Sequence, residues 1–363
     1  MQRFLFFYGR DKVLSYLELL SYFQRKGIAY QVVRKAEDYF ILEGNLDPVS
    51  IIEELGGTVK IGLYLGDDIE KLVPELLHMM PGKVYYSLQD FDQQEIVDIF
   101  KEEFKKQRIK AQNISFKISP SEIIKKNLLQ TGSDFIYAEG MLFRTVAVSN
   151  PFALEKRDIG RPVQDVTGAI SLRLAKILIN LSQISHGTLL DPFCGIGSIV
   201  QEASLMGLDC IGVDFSEEKI NAARENFAWL EKHYAPQRKA QFLQGDARSL
   251  SQVVKRKVQS LVTEPYLGEL IKSKLSSQEA EHRIQSLVPL YRDLFREAYQ
   301  ILEHKGFMVI ILPYFFLKKN KIRIPVESIH GKFRLYNPEK LIPVEYGVGK
   351  NKIGREIYIF RKI

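Results

Sequence analysis

The chain reads as an α/β protein in which a doubly wound parallel-sheet domain follows an N-terminal α+β region. Three observations predict this. From residue 167 onward, short apolar strands alternate with helical stretches, the pattern of a parallel sheet covered by helices on both faces. The segment DPFCGIGSI at 191–199 joins a strand to a helix through two glycines. Between 149 and 164 the text changes to SNPFALEKRDIGRPVQ, with two prolines, a glycine and a run of charges, which suits an extended connector. The expected layout is therefore an α+β region over 1–148, a linker over 149–164 and the α/β domain over 165–363.

The N-terminal elements follow in order. A strand at 3–8 leads into an amphipathic helix at 13–26, then strands at 29–34 and 39–43. A helix at 48–55 ends at Gly56 and Gly57, a good C-terminal stop, before a strand at 58–64. Next come a helix at 69–80, a strand at 83–88 and a charged helix at 93–107. After the connector, helical periodicity covers 167–182. Strands at 188–190, 210–213, 240–243 and 260–263 then alternate with helices at 198–206 and 216–230. A long helix at 286–302, a stop at Gly306 and a continuous apolar strand at 307–312 extend the sheet. Trp229 packs the 216–230 helix against its neighbour.

Composition narrows the function classes. The 363 residues are 45% hydrophobic and 26% charged, the balance of a folded chain with a core in each part. The longest apolar runs, such as 175–181 and 307–312, fall far short of the roughly 20 residues that span a bilayer. The first eight residues carry no secretory-signal pattern, so a cytoplasmic protein without a membrane partner is expected. Two cysteines, Cys194 and Cys210, and six histidines form no metal-ligand spacing; no metal is expected. The net charge of +7 permits a nucleic-acid partner. Residues 1–150 hold 19 Lys+Arg against 21 Asp+Glu, leaving 32 against 23 for the remainder, so the positive excess lies in the C-terminal half.

Three successive strand ends carry candidate binding residues. Asp191 and Phe193 precede Gly195 and Gly197, which let the backbone turn tightly and approach a ligand; the helix opening at Ser198 points its free N–H groups at the same space. Asp214 ends the next strand, beside Phe215, where a carboxylate accepts from two ribose hydroxyls. Asp246 follows the third strand, placed to accept from an adenine amine, and Ala247 leaves room for the ring. Val200 stands where a dinucleotide loop wants glycine. That residue and the acidic Asp191 ahead of the loop favour S-adenosylmethionine over a nicotinamide cofactor.

With these residues in place, the chain resembles the THUMP-domain tRNA guanosine-N2-methyltransferases that modify position 10 of tRNA. The carriers are LGGTVKIG at 55–62, EKRDIGRPVQDVTGAISLRLAKILINL at 155–181 and DPFCGIGSI at 191–199, and the middle segment is the most specific. The resemblance implies a Rossmann-like class I methyltransferase domain behind a ferredoxin-like and THUMP region that grips tRNA. It also implies S-adenosylmethionine as methyl donor and leaves room for a small activating protein subunit. The family's Asp-Pro-Pro-Tyr corresponds here to Thr263, Glu264, Pro265 and Tyr266. Tyr266 and Pro265 supply the aromatic face and rigid turn for a flipped base. Thr263 cannot be an anionic acceptor, and Glu264 reaches the amine only if the turn has begun before it. Methylation of an adenine N6, or a tRNA-binding module without turnover, are the alternatives.

Basic clusters occur at Lys105, Lys106, Arg108 and Lys110, at Lys318, Lys319, Lys321 and Arg323, and at Lys350, Lys352 and Arg355. The last two follow strand ends beside the expected pocket and are candidate phosphate contacts. The linker residues Arg157 and Arg161 either join them or brace the domains.

Overall fold

The computed structural model describes every residue except 81, 93–95, 115–117, 166–167, 237, 270, 272–274, 318–319 and 348–352. Lys318, Lys319, Lys350 and Lys352 therefore lie outside the described residues, as do the first residues of the helices expected from 93 and 167. The chain divides into two compact units, one of Met1–Tyr16 and Ile28–Lys156, the other of Leu17–Gly27 and Arg157–Ile363.

The first unit holds strands β1 (Gln2–Tyr8), β2 (Tyr30–Lys35), β3 (Tyr39–Gly44), β4 (Thr58–Gly66), β5 (Lys83–Asp90), β6 (Lys110–Asn113), β7 (Asp134–Ala138) and β8 (Met141–Val148). They form one eight-stranded sheet in the order β2-β3-β1-β4-β8-β7-β5-β6. Helix α1 (Lys12–Lys26) begins here, followed by α2 (Pro48–Glu54), α3 (Ile69–His78), α4 (Ile96–Lys106), α5 (Pro120–Lys125) and α6 (Leu128–Thr131). Apolar residues of α3 and α4, including Val73, Leu77, Phe100 and Phe104, close over Tyr86, Leu88 and Phe135 of the sheet. At the centre, Lys60 of β4 donates to buried Asp134 at 3.1 Å. Asp134 also accepts from the hydroxyls of Ser87 and Thr145, so a buried charge is matched from three strands.

The segment expected to be an extended connector forms a helix instead, α7 (Pro151–Ile159). Pro151 occupies its first position, where no N–H is needed, and the Asn150 side chain accepts from Ala153 N at 3.0 Å as a cap.

In the second unit, α8 (Leu172–Leu181) precedes β9 (Thr188–Asp191), α9 (Ser198–Leu205), β10 (Asp209–Asp214), α10 (Glu217–Tyr234), β11 (Ala240–Gln244), α11 (Leu250–Val253), β12 (Val258–Thr263) and α12 (Ser277–Ile301). Then come β13 (Leu302–Leu317), β14 (Asn320–Arg323), β15 (Phe333–Leu335), β16 (Val344–Tyr346) and β17 (Ile353–Lys362). The sheet order is β11-β10-β9-β12-β13-β17-β15, with β14 on β13 and β16 on β17. Strands β9 to β13 pair in parallel, while β17 runs antiparallel to β13. Leu189, Leu190, Leu261, Val262 and Val309 are fully buried, as strands covered on both faces require. Helix α12 starts nine residues before the position expected, fixed by a capping box between Ser276 and Glu279. Trp229 contacts His233 and Tyr234 of its own helix. Among the described residues no helix is long and apolar enough to cross a membrane.

Candidate active site

The chain runs outward from β9 through β10 to β11, then returns to β12 on the other side of β9. This reversal leaves a crevice beyond the carboxyl ends of β9 and β12, where doubly wound sheets take their ligands. Asp191 is the last residue of β9 and Thr263 the last of β12. The Thr263 hydroxyl donates to Asp191 Oδ1 at 2.7 Å, and the Phe193 amide donates to the same oxygen at 3.1 Å. Burial pushes the Asp191 carboxyl up to about 7; these two hydrogen bonds oppose the shift, and the nearby charges of Asp214 and Glu264 add to it.

The glycine loop turns tightly and is open at Gly195. Gly195 has φ +51° and open space on the side where a Cβ would project, with no atom within 4 Å, whereas Gly197 has φ +90°, a region costly for any other residue. Gly197 caps α9 without a side-chain acceptor, which leaves first-turn N–H groups for an anionic ligand end. Ser198 is spoken for: it accepts from Arg161 Nη1 at 2.7 Å.

At the next strand end, Asp214 Oδ2 accepts from Gly195 N at 3.0 Å and Oδ1 from Ser216 N at 2.9 Å, tying the β10 tip to the loop. Phe215 follows with its ring exposed. At the third, Asp246 accepts from Arg248 N at 2.8 Å and forms an ion pair with the Arg248 guanidinium at 2.6 Å. Arg248 holds its carboxyl below the usual range. Ala247 is buried. Thus Asp191, Phe193, Gly195 and Ser198 line one cavity, and Asp214 is bonded to its rim.

Glu264 joins that cavity. Because β12 ends at Thr263, the alternation of side chains stops there and Glu264 is free of the opposite-face rule. Burial raises its pKa, and Arg355 opposes the rise. Arg355 Nε lies 2.6 Å from Glu264 Oε1, a direct ion pair. Pro265 is buried, while Tyr266 is 53% exposed. The Tyr291 hydroxyl of α12 donates to the Tyr266 carbonyl at 2.8 Å, fixing the backbone and leaving the ring open.

Three contributions escape a reading of the residues alone. Asp165 lines the cavity and accepts from Lys219 Nζ at 2.6 Å. The pairing of Thr263 with Asp191 and of Arg355 with Glu264 has no local signal, since 72 and 91 residues separate the partners. Arg157 and Arg161, candidate phosphate contacts, are instead committed to the second unit: Arg157 makes two 2.8 Å bonds to Glu202, and Arg161 binds Ser198 and Asp158.

Residues 160–315 match the RMKL-like methyltransferase domain family UPF0020. A Methanothermobacter thermautotrophicus protein named tRNA (guanine(10)-N2)-dimethyltransferase is 32% identical over 149 residues, which cover 41% of this chain and 40% of that protein. A Methanothermococcus thermolithotrophicus protein named "Probable tRNA (guanine(10)-N2)-dimethyltransferase" is 30% identical over 168 residues, 45% of this chain and 90% of that protein. In fold, the chain is similar to the crystal structure of TrmN from Thermus thermophilus, with a TM-score of 0.54 at 15% identity over 100% of both chains. Carrying a methyltransferase domain at its sheet switch point, the chain belongs to the tRNA guanine-N2 methyltransferase family.

Proposed function

We propose that this protein methylates the exocyclic N2 of a guanosine in tRNA, of the position 10 type, using S-adenosylmethionine. The observation that carries the reading is the placement of the Glu264 carboxylate and the open Tyr266 ring at the tip of β12, beside the glycine loop. S-adenosylmethionine supplies an electrophilic methyl group on a sulfonium sulphur. The fit rests on the uncapped N-terminus of α9 for the donor's carboxylate, Asp214 for ribose hydroxyls, and Phe215, Asp246 and Ala247 for the adenine. Asp246 must exchange its Arg248 contacts for that role.

Tyr266 offers an aromatic face on which an extruded base stacks. Glu264 accepts a hydrogen bond from the amine and takes its proton, and its raised pKa brings it toward the range where a carboxylate works as a base. Thr263 serves indirectly, by orienting Asp191. The first unit supplies an RNA-gripping region of the THUMP type, and a cytoplasmic setting gives access to tRNA. The test is to incubate the protein with methyl-labelled S-adenosylmethionine and unmodified tRNA transcripts and to identify the labelled nucleoside. N2-methylguanosine or its dimethyl form, lost in Asp214→Ala, is expected. Labelled N6-methyladenosine would replace the guanine assignment, and cofactor and tRNA binding without label would mark a binding module.

A further inference from the structure

Arg355 reaches the site from the last strand of the sheet. Thr263 of β12 lies opposite Ile310 of β13, and Arg355 of β17 lies opposite Pro313, three residues beyond. The guanidinium is thereby carried just past the tip of β12, where Glu264 begins the turn. Its neighbour in β17, Glu356, faces the other way and belongs to a separate set, with Arg323 Nε at 2.8 Å and the Tyr358 hydroxyl at 3.0 Å. The alternation of β17 thus assigns one ion pair to each face, Arg355 with Glu264 and Glu356 with Arg323. With 29% of its side chain exposed against 11% for Glu264, Arg355 is the more accessible member of the pair.

We propose that Arg355 is the positioning residue that holds the Glu264 carboxylate, in its anionic form, at the reacting end of the site. This rests on the methyl-transfer reading above. Forming the new N–C bond as the donor's S–C bond breaks leaves the amine with a proton to shed, and that proton passes to a Glu264 oxygen only while the carboxylate is ionised. Among the described residues, the charged and titratable groups that act on or feel Glu264 are Arg355 from β17, Asp191 from β9 and the Tyr291 phenol from α12. Asp165, which lines the same cavity, is itself paired with Lys219. Among the described residues, Arg355 is the cation paired with Glu264. Burial favours the protonated acid and the guanidinium opposes it, so without Arg355 the carboxyl holds its proton to higher pH.

Two measurements on the full chain test this, with wild type, Arg355→Gln and Arg355→Lys compared and Glu264→Gln as reference. The Glu264 carboxyl is titrated by carbon NMR of glutamate-labelled protein without substrate, and single-turnover methyl transfer to tRNA is followed from about pH 5 to 9 with saturating cofactor. In Arg355→Gln the Glu264 midpoint is expected to rise by about one unit and the acid limb of the rate to move with it, about a tenfold loss on that limb. The loss recovers at high pH and is largely reversed in Arg355→Lys. An unmoved midpoint in Arg355→Gln overturns the proposal, as does a rate loss equal at every pH that lysine does not rescue. A wild-type protein that transfers no methyl group to tRNA overturns the function reading instead, and the NMR titration still decides whether Arg355 governs Glu264.

Discussion

Asp191 and Thr263 are the residues on which the two central strands meet, and their 2.7 Å hydrogen bond changes what Thr263 is for. A threonine cannot replace a carboxylate as acceptor, but here its hydroxyl is a donor that satisfies one. That bond only partly offsets the burial of Asp191, whose carboxyl stays up at about 7 against 3.8 when unfolded. Below pH 3.8 both states are protonated and the site is neutral to stability. Between 3.8 and 7 the unfolded chain loses this proton while the folded one keeps it, so stability falls as pH rises, by about 1.4 kcal/mol per unit and on the order of 4 kcal/mol in all. Asp191→Asn keeps an acceptor for Thr263 and removes the titration. Urea denaturation at a series of pH values should show the variant gaining on wild type from about pH 4 to 7; parallel curves would contradict the shift.

At the scale of elements, the turn from β9 into α9 depends on Gly197 at φ +90°, where an added Cβ also meets Gln201 Nε2 at 3.3 Å and Ala223 Cβ at 3.4 Å. Gly197→Ala is expected to lower stability by about 1–2 kcal/mol and to weaken cofactor binding, read by denaturation and calorimetry. This loop is legible in the sequence because its two glycines join an apolar strand to a helix and are followed by an aspartate at each of the next two strand ends, Asp214 and Asp246. The connector is not, because Pro151 suggests a break yet sits at the one helical position where proline costs nothing. The sequence likewise suggests that β13 ends at Leu312, before Pro313. The strand continues because Pro313 lies beyond Ile310, the last residue paired with β12, so no bond of the parallel ladder is lost. The short strands β6, β14, β15 and β16, of three or four residues each, carry too few alternations to declare a period. The start of α12 is readable from Ser276 and Glu279.

For the whole molecule, the sequence shows a sheet on either side of residue 150 but not that Leu17–Gly27 belongs to the second unit. Leu17, Leu19, Tyr22 and Phe23 of that piece are buried, and Asn180 of α8 donates to Glu18 at 2.9 Å. Helical periodicity reveals such a face without naming what it covers. A fragment of residues 149–363 lacks it, forgoing about 1.5–3 kcal/mol for each of the four side chains, and should melt well below the same unit in the full chain. An equal melting temperature would mean that Leu17–Gly27 adds nothing to it. The pocket itself is assembled from the ends of β9 and β12 together with residues of the 165–170 segment, whereas the ion pair beside it requires the register of β17.

The proposed methyl-transfer chemistry centres on the tip of β12, and one comparison tests it most directly. Single-turnover methyl transfer to tRNA should be measured for wild type, Glu264→Gln and Tyr266→Ala, with cofactor affinity determined on the same samples. The expected result is a rate at least about 100-fold lower in Glu264→Gln and a marked loss in Tyr266→Ala, while cofactor affinity stays near that of wild type. Variants that transfer the methyl group at the wild-type rate would show that the chemistry lies elsewhere.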